Sequence, residues 1–294
     1  MISGLEPVSL NNQKEYLKYL AITPEKSSDY SLVNIIGWAD AYQLMWKYTD
    51  SLIWLQQTQS ENIFWAPVGN WYQVDWLSVF KQMSLPVQFT RVPEKLLDIW
   101  KDCGGLVLDI VEERDHWDYV YDVSDLVQLK GNRYHKKKNL LNQFLKKYDY
   151  QYYSLNPERI DETLAMQEDW CTWRDCESDK TLTLENQAIA NVMDAYRIFD
   201  NICGGVIFVN QLITAYTVAE YFSEDMIIIH FEKGCPMYKG AYQAINQLFL
   251  SHGAKDHKWV NREQDLGDEG LRKAKMTYHP VYFLKKFSVK VMHN

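Results

Sequence analysis

The sequence predicts an α/β (α+β) protein made of two copies of one unit. Three observations predict it. Segments rich in β-branched and aromatic residues alternate with segments of helical apolar spacing along the whole chain. The first 150 residues and the remainder run through a similar order of elements. Two stretches also align across the halves. "NIFWAPVGNWYQVDWL" matches "IIIHFEKGCPMYKGAYQAI" as strand, glycine turn and helix, and "FTRVPEKLLDIW" matches "VNREQDLGDEGLRKA" as strand, arginine and helix. Hairpins followed by a strand–helix–strand unit give a mixed sheet with helices on both faces. The division expected is residues 1–150, including a basic linking helix, and residues 151–294, with a join near 148–156.

The elements follow in order. "NNQKEYLKYLA" opens the chain as a helix, and "AYQLMWKY" and "SLIWLQQ", separated by Thr49 and Asp50, form a hairpin. "NIFWAPVG" is a strand closed by Pro67 and Gly69. Helical spacing of Val74, Leu77, Val79, Phe80 and Met83 follows in "QVDWLSVFKQM". "VQFTRV" is a short strand, Pro93 opens the helix "PEKLLDIWKD", and "GGLVLDIVEE" is a strand. In the second half, "PERIDETLAMQEDWCTWR" and "LENQAIANVMDAYRIF" are helices, and "CGGVIFVN", "QLITAYTVAEYF" and "DMIIIHFEKG" are strands. "GAYQAINQLFLSHG" is a helix with Gly253 as its C-cap. Strand "KWVNRE", helix "DEGLRKAKMTY" and strands within "PVYFLKKFSVKVM" complete the chain.

With 47% hydrophobic and 24% charged residues, the chain can bury one large core or two moderate ones. Its net charge of −8 argues against a dedicated nucleic-acid binder and excludes DNA as the expected partner, while leaving room for a local basic groove. The five cysteines are odd in number and show no Cys-x-x-Cys spacing, so free thiols in a reducing compartment are expected, with no metal. No apolar run approaches the ~20 residues of a bilayer span. "MISGLEPVSLNNQKEY" carries acid and proline where a signal peptide carries a basic and then an apolar segment. The expectation is a cytoplasmic chain without integral membrane association.

"FEKGCPMYKGAYQAI" carries the first functional signal. A strand that ends in a glycine turn before a helix presents free N–H groups and the positive end of the helix dipole, which favour phosphate. Lys233 and Lys239 add charge, and Gly240 permits close approach of a ligand. The same residues also suit a plain strand-to-helix connection.

"PMYKGAYQAI" resembles the cofactor turn of the GNAT acyltransferase superfamily, where a turn after the fourth strand opens the helix that holds the pyrophosphate of acyl-CoA. "VNREQDLGDEGLRKAKMTYHPVYFLKKF" and "LKGNRYHKKKNLLNQFLKKY" resemble uncharacterised relatives of the phosphatidylglycerol lysyltransferase C-terminal domain. The resemblance is strongest from residue 126 onward. It implies two tandem GNAT-like units, each a mixed, mostly antiparallel sheet flanked by helices, and a kinship with the Fem-type aminoacyl transferases. It further implies transfer of an acyl or aminoacyl group from acyl-CoA or aminoacyl-tRNA to an amine or hydroxyl, with no tightly bound cofactor and with a tRNA acceptor end as a possible partner. A binding protein that keeps the cleft without catalysis is the alternative. Tyr242 and Ala244 stand where the acyl-CoA pattern has glycines, which leaves both donors open.

Two charged helices supply candidate cations. Between Leu126 and Tyr148 there are seven Lys or Arg and no acid. At 100° per residue, Leu140, Leu141, Phe144, Leu145 and Tyr148 form one stripe, and Arg133 and Lys137 fall on it. These two are therefore expected to lean inward, toward an internal carboxylate or an anionic ligand. In "DEGLRKAKMTY" Asp268 is the N-cap, and Leu271, Ala274, Lys275 and Tyr278 share a face. Alternation along "VNREQD" puts Asn261, Glu263 and Asp265 on one side, poised to pair with Lys275 or Arg133.

Acyl transfer requires a positioned acceptor, removal of its proton and stabilisation of the oxyanion, with no covalent nucleophile. Glu263 and Asp265 are the candidate bases. Tyr278 is the candidate acid, by resemblance to the GNAT tyrosine after the fifth strand. His230, on the strand before the turn, suits a core histidine or a proton acceptor, and with Asn261 and Tyr242 it would line the cleft.

Overall fold

A computed structural model describes residues 4–59 and 63–292. Met1–Ser3, Asn62 at the start of the third expected strand, and His293–Asn294 lie outside the described residues. The chain divides into two units, residues 1–118 with 284–294, and residues 119–283.

The first unit contains β1 (Glu6–Pro7), α1 (Gln13–Ala21), α2 (Leu32–Gly37), α3 (Ala39–Tyr42), β2 (Leu44–Tyr48), β3 (Leu52–Gln57), β4 (Ile63–Gly69), α4 (Trp76–Gln82), β5 (Val87–Pro93), α5 (Glu94–Asp102) and β6 (Val107–Glu112). There follow β7 (Asp118–Asp122), α6 (Val123–Gln128), α7 (His135–Lys147), β8 (Tyr150–Ser154), α8 (Ile160–Arg174), α9 (Lys180–Asp194), β9 (Ile202–Val209), β10 (Leu212–Tyr221), β11 (Met226–Gly234), α10 (Ala241–Gly253), β12 (Trp259–Asn261), α11 (Glu269–Met276) and β13 (Tyr282–Leu284). The last strand, β14 (Lys286–Met292), returns to the first unit.

The two sheets have the orders β1-β2-β3-β4-β5-β14-β6 and β8-β9-β10-β11-β12-β7-β13. Each contains an antiparallel meander, β2-β3-β4 or β9-β10-β11, followed by one parallel partner, β5 or β12. The duplication read from the sequence is thus present in the topology. The boundary is corrected. In each sheet the strand beyond the parallel pair comes from a distant part of the sequence, β14 beside β5 and β7 beside β12. The basic helix α7 also belongs to the second unit, because Leu141 and Phe144 pack in one core with Ala241, Ile245 and Leu248 of α10.

Local chemistry explains most of the elements. Asp268 caps α11 by accepting from the Leu271 N–H. The expected C-cap at Gly253 is corrected: α10 runs through it to Ala254. A Cβ at Gly253 would come within 2.9 Å of the Phe249 ring, so close packing accounts for the glycine. The expectation of five free thiols is corrected as well. Asp175 adopts a left-handed conformation (φ 53°) after α8, which turns the chain so that Cys176 is disulfide-bonded to Cys171. Cys103, Cys203 and Cys235 are free. Among the described residues no helix is long and apolar enough to cross a membrane.

Candidate functional site

The parallel strands of the second unit part company. β11 and β12 are paired at Met226↔Trp259, Ile227↔Val260 and Ile228↔Asn261, after which β12 ends while β11 continues to Gly234. The wedge beyond Ile228 is filled by side chains from both arms. His230, which the pairing with β10 skips, and Glu232 come from β11, and Arg262 and Glu263 follow β12. The equivalent place in the first unit is packed shut. There β4 and β5 pair only at Phe64↔Phe89 and Trp65↔Thr90, and Arg91 lies over the rings of Trp65 (4.0 Å) and Tyr42 (5.0 Å).

In the second unit the wedge holds a charged cluster. Glu232 is partly buried and both its oxygens are engaged, Oε1 with Arg262 Nη2 at 2.9 Å and Oε2 with the Asn246 amide of α10 at 2.9 Å. The Arg262 guanidinium lies 4.8 Å from the Tyr278 ring centre, and the Lys137 ammonium lies 4.1 Å from the same ring. Burial, then the neighbouring Arg262 charge, push the Lys137 ammonium down to about 8, against the pull of Glu232. Burial pushes the Tyr278 phenol up to about 12 despite Arg262, so it is protonated at neutral pH.

His230 is buried between two carboxylates, Nδ1 at 2.7 Å from Glu263 and Nε2 at 3.4 Å from Glu220. Burial alone would lower its pKa. The two glutamates outweigh burial and raise it to about 9. His230 is therefore a cation at neutral pH, and the proton-acceptor role is corrected. Asn261 is buried, and its side chain accepts from the Glu263 N–H at 2.8 Å.

Three more expectations are corrected by this loop. Alternation stops at Asn261, and Glu263 is left-handed (φ 56°), so residues 261, 263 and 265 do not share a strand face. Asp265 is enclosed by Arg272 Nη2 (2.7 Å), the Tyr119 hydroxyl and the Gly267 N–H. Burial opposes its charge, but Arg272 and the hydrogen bonds prevail and hold it at about 2, which makes it a poor base. Lys275 is buried with Nζ donating to the carbonyls of Arg262 (2.6 Å) and Gln264, so it clamps the loop that carries Arg262. Leu271, expected on the same inward face, is exposed.

Of the two cations expected to lean inward from the basic segment, only Lys137 does. Arg133 precedes α7 in a 3₁₀ turn, where the 100° wheel does not apply; it is half-exposed and paired with Asp125 at 2.7 Å. Lys233 is buried on Glu185 (2.7 Å) and over the Trp170 ring (3.9 Å), and so is already neutralised. Lys239 is exposed. The Tyr242 ring lies against Gly234, and its hydroxyl accepts from Trp170 Nε1 at 2.8 Å, which turns the side chain back toward β11 and α8.

Gly240 has φ 93°, and a Cβ there would lie 2.2 Å from the Leu140 carbonyl oxygen of α7. Its role as an open approach for a ligand is corrected: the glycine seats α10 against α7. Gly240→Ala is expected to lower stability by about 2–5 kcal/mol, from left-handed strain of ~1–2 and overpacking of ~1–3. Urea denaturation measures it, and an unchanged midpoint would return Gly240 to a ligand-facing role.

Arg262 and Glu232 were not among the residues singled out from the sequence. A signal for Arg262 was present, since the internal alignment places an arginine directly after the last parallel-paired residue in both halves. Glu232 and Asn246 become visible only when the strands part.

The family model described as "Phosphatidylglycerol lysyltransferase, C-terminal" matches residues 20–290. The chain belongs to this family. A crystal structure of a conserved protein of unknown function from Bacteroides thetaiotaomicron is similar at 26% identity and TM-score 0.88, covering 99% of this chain and 100% of that one. The structure of L-PGS from Bacillus licheniformis is similar at 13% identity and TM-score 0.67, covering 99% and 94%. FemX is similar at 7% identity and TM-score 0.63, covering 97% and 96%. An uncharacterised protein of Mycoplasmoides gallisepticum is 23% identical over 238 residues, 72% of this chain and 76% of that protein. This member of the phosphatidylglycerol lysyltransferase C-terminal family therefore has the two tandem GNAT-like units that the sequence resemblance implied.

Proposed function

We propose that this chain transfers an aminoacyl group from aminoacyl-tRNA to an amine or hydroxyl acceptor, with the chemistry in the β11–β12 wedge. The observation that carries this reading is the acid–base cluster of the wedge, in a family named for lysyl transfer, while the matching place in the first unit is filled by Arg91. Tyr278 is the proton donor, a phenol kept protonated by burial. Glu263, whose side chain is partly exposed beside the His230 cation, is the carboxylate that takes the acceptor proton. Asp265 is assigned to holding the loop. Exposed Lys136, Lys138, Lys146 and Lys147 along α7 supply a surface for the RNA backbone. This donor places the chain in the cytoplasm, and the wedge requires no metal or tightly bound cofactor for the steps named.

The test offers the purified chain total aminoacyl-tRNA or acyl-CoAs, with ethanolamine and glycerol as simple acceptors. Aminoacyl-tRNA is expected to raise the melting temperature by mass action, to bind more weakly as salt rises, and to lose its labelled amino acid to an acceptor. Stabilisation by acyl-CoA alone would replace the donor. Binding without transfer would support the binding-only reading, which the locked Asp265 favours. No response to either donor would overturn the proposal.

A further inference from the structure

We infer that the wedge contains a receptor for an anionic oxygen group, a phosphate or a carboxylate, built from the Lys137 ammonium and the Arg262 guanidinium across the Tyr278 ring. Both cations lie on this one buried ring, at 4.1 and 4.8 Å from its centre. They share a single nearby carboxylate, Glu232, and its two oxygens are occupied by Arg262 and Asn246. The next carboxylates, Glu220 and Glu263, flank His230, and Asp265 is held by Arg272. Among the described residues Lys137 has no ion pair, and the buried Nη1 of Arg262 has no hydrogen-bond acceptor.

A half-buried ammonium beside a guanidinium is unfavourable without a counter-charge, because desolvation and like-charge repulsion act together. Cation–π contact with Tyr278 offsets only part of this, about 0.5–2 kcal/mol per contact. An arriving anion supplies what is missing: acceptors for the Lys137 protons and a charge opposite to both cations. The backbone is prepared for it, since Lys275 fixes the carbonyls on either side of Glu263 and thereby fixes Arg262. The groups facing Lys137 are Arg262 at the end of β12, Glu232 on β11 and Tyr278 beyond α11. The site itself is independent of the transfer reading. Only the carrier of the anion rests on it, and that carrier is either the phosphodiester end of the donor or a phosphate or carboxylate of the acceptor.

The probe is sulfate, whose charge is constant across the range, titrated calorimetrically against the whole chain at pH 7 and pH 9 with chloride holding ionic strength. Sulfate is expected to bind at pH 7 and about tenfold more weakly at pH 9, where Lys137 with its pKa of about 8 has lost its proton. His230 also titrates near pH 9, so the variants isolate the lysine. Lys137→Arg is expected to keep sulfate binding with little pH dependence, because a guanidinium stays charged. Lys137→Met is expected to lose it at both pH values while remaining folded. A short RNA 3′ end displaces sulfate if the anion is the donor's, and glycerol phosphate or acetate displaces it if the anion is the acceptor's. No sulfate binding by the wild type at pH 7, or undiminished binding by Lys137→Met, overturns the receptor. Sulfate binding without transfer removes the transfer reading and leaves the receptor; transfer without sulfate binding does the reverse.

Discussion

Lys286→Met is expected to cost about 3–5 kcal/mol of stability, the range for removing one partner from a buried ion pair. Lys286 is fully buried on β14, and its Nζ reaches Asp118 at 2.6 Å and also Asp29. Arg91 completes the group, with Nε 3.0 Å from Asp29. Two carboxylates and two cations balance one another in the first unit. Methionine keeps the length of the side chain and removes the charge, which takes the ammonium from Asp118, a carboxylate that also accepts from the Ser28 N–H and hydroxyl at 2.8 Å each. Burial by itself raises the Asp29 pKa, but Lys286 and Arg91 overcome it and hold the carboxyl at about 2, below its ordinary value of 3.8. A depressed carboxylate pKa stabilises the fold above the unfolded value, and this contribution is lost as pH falls through the folded one. The wild type is therefore expected to lose stability between about pH 4 and pH 2, and the variant to unfold at milder acidity. Urea midpoints across that range measure both. A variant within 1 kcal/mol of wild type would mean that the cluster contributes no net stability.

This cluster also shows where the sequence stops being informative. The strands, the helices and their duplication are legible because each depends on neighbours within about ten residues. Lys286 gives no local sign that it closes a site with Asp29, since the pairing of β14 beside β5 joins residues almost two hundred positions apart. The same limit moved the domain boundary: β14 is legible as a strand but its place beside β5 is not, and β7 is recognisable only through its distant partner β12. Within the candidate site, helical periodicity placed Lys137 on the inward stripe correctly. It failed for Arg133, because the chain enters α7 through a 3₁₀ turn. Strand alternation likewise breaks at His230, where the pairing of β11 with β10 skips a residue, and fails after Asn261, where left-handed Glu263 redirects the loop. Periodicity is reliable within a regular element. The wedge is built where two regular elements end, so its residue types could be listed from the sequence and their partners could not. Gly240 is the converse case: its sequence context signals a phosphate cradle, and the neighbour that occupies its open face, Leu140, is a hundred residues away.

Tyr278→Phe is expected to reduce the transfer rate by 10²- to 10⁴-fold, the usual range for loss of a general acid, with at most ~1 kcal/mol lost in stability. The substitution is selective because the ring does two things. Its faces carry Lys137 at 4.1 Å and Arg262 at 4.8 Å, and phenylalanine keeps those contacts. Only the hydroxyl is removed. With its pKa pushed up to about 12 by burial, that hydroxyl holds its proton through the whole neutral range and can release it only to a much stronger base. An alkoxide leaving from a donor ester is such a base, whereas water and carboxylates are not. Proton donation by Tyr278 therefore occurs when the leaving oxygen develops charge and not before, which is what stabilises a transition state in preference to the bound donor. The kinetic signature follows. Donor affinity is expected to be little changed in Tyr278→Phe while the rate falls, and sulfate binding at Lys137 is expected to persist because the ring remains. Loss of donor binding along with the rate would make Tyr278 a binding residue. A rate within threefold of wild type would remove it from the chemistry altogether and leave the ring as a platform that holds two cations at the mouth of the wedge.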